Sequence, residues 1–133
     1  MIELTDTTIL ISFRIDSLER LDNLKTTHKY LTQNFKVPLL YVECDKQPYK
    51  DKYDWATLTE NIDYEFVQDF CEVFHRTKIT NYALKKIKTP IVVNWDLDCI
   101  VPPENVAMAV DIAKMGLAQV NPFSEYECFC AIQ

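Results

Sequence analysis

Three short runs in this chain are dominated by apolar and β-branched residues: TTILISF (7–13), VPLLYVEC (37–44) and IVVNW (91–95). None alternates apolar with polar along its length. A strand of this kind is buried on both faces, which is the situation of strands in a parallel sheet sandwiched between helices. Helical periodicity lies between them. In DSLERLDNLKTTHKYLTQNF, Leu18, Leu21, Leu24 and Leu31 share one face, while Glu19, Arg20, Lys25 and Lys29 point elsewhere. Asp16 followed by Glu19 predicts the start of this helix with a capping box. RTKITNYALKKIK predicts a second helix over 76–88, with Ile79, Tyr82, Ala83 and Ile87 inward and Thr89-Pro90 as its stop. PPENVAMAVDIAKMG predicts a third, with proline in its first turn and Gly116 at its end.

The remaining segments complete the pattern. IDYEFVQD alternates as a strand, with Ile62, Tyr64 and Phe66 on one side, and LAQVNPF (117–123) is a further strand candidate. DKQPYKDKYDW is a polar surface loop, with a short helix expected at YDWATLTE. The order predicts a single α/β domain over 1–133, a mostly parallel Rossmann-like sheet flanked by helices. SEYECFCAIQ closes the chain in an apolar, strand-like run. The expectation is that the fold is truncated on this side, or that its sheet is completed by a partner such as a second copy.

Composition removes several function classes. The single glycine, Gly116, excludes both the P-loop and the dinucleotide-binding fingerprint, so any phosphate must meet side chains, a metal or an ordinary helix N-terminus. The net charge of -6, with basic residues clustered only around KIT and ALKKIK, argues against nucleic acid as the main partner. No apolar run approaches the ~20 residues that span a bilayer. MIELTDTTILISF lacks the basic start and cleavage site of a signal peptide. Five cysteines, without paired CxxC spacing, suggest reduced thiols in a cytoplasmic protein, with peripheral membrane association left open. His28 and His75 stand at no zinc-ligand spacing to a cysteine pair.

The chemistry concentrates in TPIVVNWDLDCIVPPENV (89–106). Ligands of open parallel sheets bind beyond the carboxyl ends of the strands, where Asp96 and Asp98 follow IVVNW. Strand alternation would turn both carboxylates to the same side. Two carboxylates suit a hard divalent cation that keeps open positions for phosphate and water. The plainer alternative is that one aspartate caps the PPENV helix and the other is solvated.

TILISFRIDSLERLDNL, LLYVEC and RTKITNYALKKIKTPIVVNWDLDCIVPPENV together resemble the donor-binding half of family 2 glycosyltransferases, which have the GT-A fold. The resemblance covers roughly residues 7 to 115. It implies inverting transfer of a sugar from a nucleotide-diphosphate donor, UDP-linked, to a glycan acceptor, with Mg or Mn as cofactor. It also implies surface polysaccharide synthesis as a setting. Asp96 and Asp98 resemble the D-x-D that holds metal and nucleotide sugar. Glu43 matches the acidic residue at the end of the second strand, which contacts the base, with Glu in place of the commoner Asp. Ser12, Phe13 and Arg14 match the turn that lines the nucleotide pocket. Arg76 and Asn81 resemble the arginine and asparagine of the helix near the diphosphate. Plainer roles compete here too: Arg14 pairing with Asp16 or Glu43, Asn81 bridging backbone, Arg76 solvated.

Only 35 residues follow Asp98, and none matches the family's general base, so no catalytic residue is assigned. Two other readings stay open. Asp96 and Asp98 also look like the nucleophile and acid/base of a haloacid-dehalogenase-like phosphatase, although Cys99-Ile100 replaces the usual Thr. The same sheet could also serve as a non-catalytic binding domain.

Overall fold

The structure, a computed structural model, describes residues 1–49 and 62–123. The expected short helix at YDWATLTE and the SEYECFCAIQ run lie outside the described residues. Among the described residues, nine elements follow one another: β1 (Ile2–Glu3), β2 (Thr7–Phe13), α1 (Leu18–Asn34), β3 (Phe35–Lys36), β4 (Leu39–Asp45), β5 (Asp63–Gln68), α2 (Arg76–Leu84), β6 (Ile91–Asn94) and α3 (Pro103–Lys114). The fold is α/β, as the apolar runs predict. Four strands form one sheet in the order β5-β4-β2-β6, and every pair is parallel.

The burial of both sheet faces explains why β2 and β4 carry no polar side. Ile9, Ile11 and Phe13 of β2 and Leu39 and Tyr41 of β4 pack with Leu21, Leu24 and Leu31 of α1 and with Val106 and Val110 of α3. Leu10, Leu40, Val42 and Cys44 face the other way, onto Ile79 and Ala83 of α2. Period-two alternation therefore feeds two cores, one on each side of the sheet. The chain leaves β2 toward β4 on one side and returns through α2 to β6 on the other. The strand order thus reverses between β2 and β6, and such a reversal opens a crevice at the carboxyl ends of the strands.

Several local expectations need correction. The cap of α1 is Ser17, whose side chain accepts from the Arg20 amide; Asp16 instead makes an ion pair with Arg20 at 3.1 Å. α2 stops at Leu84 rather than at residue 88, and its end tightens through Lys86 and Ile87 amides that both donate to the Ala83 carbonyl. LAQVNPF forms no strand over 117–123. An unforeseen parallel pair, β1 with β3, docks the amino terminus beside the end of α1. Gly116 ends α3 with φ 102°, a conformation that favours glycine.

Candidate functional site

β6 delivers the two aspartates to the carboxyl edge of the sheet, but a turn aims them. The Trp95 amide donates to the Leu10 carbonyl at 2.9 Å, which continues the β6–β2 ladder by one bond. The Trp95 ring then buries itself, 5% exposed, against Tyr30 and Phe35 with centroids 6.1 and 6.3 Å away. Immediately afterwards the Cys99 amide donates to the Asp96 carbonyl at 3.3 Å and closes a turn. The indole N–H of Trp95 donates to the Cys99 carbonyl at 3.0 Å. α1 holds the same turn from below: the Thr27 hydroxyl donates to the Leu97 carbonyl at 2.7 Å, and the Tyr30 hydroxyl donates to the Val101 carbonyl.

The result is a tight group of donors. One ligand atom each from Asp96, Asp98 and Cys99 lies within 4.8 Å of the others, so these three residues could hold a cation. The Cys99 thiol approaches the Asp98 carboxylate at 3.8 Å. Turn closure, rather than strand alternation, produces the convergence, because β6 ends at Asn94. Neither aspartate caps α3: its first residue is Pro103, and no side chain bonds its amino end.

Arg76 completes the group. Its guanidinium makes an ion pair with Asp96, and both side chains are about half exposed. Arg76 is the first residue of α2, whose amino end has no side-chain cap. A shallow groove of about 480 Å³ lined by His75, Arg76, Thr77 and Lys78 opens there. The Arg76 amide donates to the Phe74 carbonyl, but the positive end of the helix and two cationic side chains make the groove attractive to an anion.

The other residues singled out from the sequence are placed differently. Arg14 pairs with neither Asp16 nor Glu43. Its Nε donates to the Cys44 carbonyl at 2.9 Å, and its Nη1 donates to the carbonyls of Cys71 and Glu72 at 3.1 and 3.0 Å. It also lies over the Phe74 ring and 3.9 Å from Asp45, so it ties the end of β4 to the segment that enters α2. Phe13 is core, 1% exposed and edge-on to Tyr41. Ser12 is half-buried in β2 opposite Val42. Glu43 is fully buried; its carboxylate accepts from the Tyr49 amide at 2.8 Å and the Tyr64 hydroxyl at 2.5 Å. Asn81 is exposed on the second turn of α2, in a groove with Val67, Tyr82 and Lys85. The fold therefore brings Arg76, Asp96 and Asp98 together and leaves Glu43 and Phe13 inside.

Four residues escape a sequence reading. Cys99 joins the aspartates only through the turn. Thr27 lies 70 positions away from the carbonyl it holds. Cys71 and His75 form a thiol–imidazole contact whose only sequence signal is a spacing of four. No protein-family model matches the chain, and no curated protein matches it. Among the described residues, no helix is long and apolar enough to cross a membrane.

Proposed function

We propose that this chain binds a nucleotide-diphosphate sugar, UDP-linked, together with Mg or Mn, as the donor-binding part of an inverting glycosyltransferase that acts on a glycan. The observation that carries this reading is the meeting of Asp96, Asp98 and the Arg76 guanidinium at the carboxyl edge of a parallel sheet. The donor set fits the group. Two carboxylates supply hard oxygen ligands, and the adjoining Cys99 sulfur favours Mn over Mg. A bound divalent cation would supply neutralisation of the charge that builds on the departing diphosphate.

The residues of the chain do the rest. Arg76 neutralises Asp96 when no other cation is present; once released, its planar fork suits a phosphate oxygen. The positive amino end of α2, which no side chain caps, favours the same anion. Glu43 serves as an internal strut between β4 and β5 in this reading, not as a base contact.

Calorimetry with UDP, with and without Mn, tests the proposal. Binding is expected to require Mn and to disappear in Asp98→Ala. Wild-type protein that binds no UDP in the presence of Mn, yet hydrolyses a generic phosphate ester, would overturn it in favour of the phosphatase reading.

A further inference from the structure

A second reactive centre lies at the mouth of α2, and it does not depend on the nucleotide-sugar reading. The Cys71 Sγ is 3.3 Å from His75 Nε2, and both residues are exposed. The pair is held from several directions. The Cys71 amide donates to Asp69 Oδ1 at 2.9 Å, and the Cys71 carbonyl accepts from Arg14. The His75 carbonyl accepts from the Ile79 amide, which fixes the imidazole-bearing residue to the first turn of α2. Thiol and imidazole are thus within proton-transfer reach on a segment anchored at both ends.

The other described thiols are in contrasting surroundings. Cys44 is buried, and burial first, then the charge of Asp69, pushes its thiol up. The Cys99 thiol is half-buried and donates toward the Asp98 carboxylate at 3.8 Å. Only Cys71, among the described cysteines, combines exposure, an imidazole that can accept its proton, and the amino end of a helix nearby.

We propose that Cys71 is a modification site that exchanges with small-molecule disulfides, with His75 as its proton acceptor. The thiol proton passes to His75 Nε2, and the Cys71 sulfur attacks one sulfur of the disulfide. A new S–S bond forms, the old one breaks, and the departing thiolate takes up the proton held by His75. The balance is one protein thiol plus one disulfide giving one mixed disulfide plus one free thiol. The groups that face the pair are Asp69 from the end of β5, Arg76 and Lys78 from α2, Arg14 from the end of β2, and Glu72, which is bridged to Lys46. Asp69 and Glu72 already have cationic partners, Lys78 and Lys46.

The test is reaction of the full chain with limiting dithiobis(nitrobenzoate), followed by tryptic mapping without reduction. Cys44, Cys71 and Cys99 fall in separate peptides, 37–46, 53–76 and 89–114. Peptide 53–76 is expected to be modified at least about tenfold faster than the other two at neutral pH. His75→Asn is expected to slow it several-fold, while Cys71→Ser abolishes it. Modification of 53–76 no faster than 89–114, or an unchanged rate in His75→Asn, would overturn the assignment. The comparison of peptides within the wild-type protein stands even if the histidine variant misfolds.

Discussion

Replacing Thr27 by valine would cut the tether between α1 and the aspartate turn without changing the shape of the side chain. Thr27 is fully buried, and its hydroxyl donates to the Leu97 carbonyl, which lies between Asp96 and Asp98, at 2.7 Å. Loss of one such bond is worth about 1 kcal/mol net. For 133 residues at ~2.1 cal/mol/K each, the unfolding entropy is about 0.28 kcal/mol/K, so the melting temperature should fall by about 4 °C. Thr27→Ser is the control: it keeps the hydroxyl and loses one buried methyl, at a similar cost of about 0.8 kcal/mol. Global stability therefore does not separate the two variants, but the turn does. The Cys99 amide, bonded to the Asp96 carbonyl, reports turn opening by native-state hydrogen exchange. Thr27→Val should speed exchange at Cys99 about fivefold, the equivalent of about 1 kcal/mol, with a smaller effect at Ile11 in β2. Thr27→Ser should leave the ratio of the two rates unchanged. Equal Cys99 exchange in the two variants would show that the hydroxyl does not hold the turn.

Arg76→Gln removes a half-exposed ion pair, so stability should change by no more than about 0.5 kcal/mol. In titrations, Mn alone should then bind more tightly, because the competing cation has left Asp96, while UDP with Mn binds more weakly; a parallel change in both would refute the competition. Glu43→Gln keeps an oxygen for the Tyr49 amide but replaces the charged acceptor of the Tyr64 hydroxyl by an N–H₂, so that bond must reverse and lose its charge assistance, at a cost of about 1–3 kcal/mol in urea unfolding. A loss below about 0.5 kcal/mol would mean that Glu43 is not a strut. Burial lowers the pKa of His28 from its ordinary 6.5, and its Nδ1 lies 2.9 Å from the Tyr41 hydroxyl. Below pH 6.5 the unfolded chain takes up the proton before the native one does, so stability is complete above that pH and falls as the solution becomes more acid. Unfolding measured from pH 8 to pH 5, as ~1-unit steps, should show wild type losing stability relative to His28→Gln, and a flat difference would refute the coupling.

The sequence by itself determined the layers of this protein. TTILISF and VPLLYVEC have no polar side and lie as the inner strands β2 and β4, whereas IVVN, equally apolar, forms the half-buried edge strand β6. The Leu21, Leu24 and Leu31 face of α1, and the Ile79–Ala83 face of α2, follow from a 3.6-residue period in the same local way, whereas Leu18, in the same series, stays exposed at the helix start. Helix ends were less legible: Asp16 and Ser17 are both capping residues, and only the backbone at Ser17 decides between them. LAQVNPF shows the opposite failure, because apolar residues make a strand only when a neighbouring edge accepts their hydrogen bonds.

The candidate site divides along the same line. Asp96 and Asp98 were visible because carboxylates directly after an apolar strand fall at a sheet edge wherever that strand is placed. Tertiary structure decided everything that gives them a geometry. Thr27 and Trp95 close the turn, Cys99 is drawn to the carboxylates, and Arg76 arrives from a helix 20 residues upstream of Asp96. It also turned Glu43 and Phe13 inward, because strand alternation places both on the α1 side, where they are buried. Periodicity is a property of neighbours along the chain and survives without context. The contacts of a site join residues far apart in sequence, and they exist only once packing has chosen which ends of the elements meet.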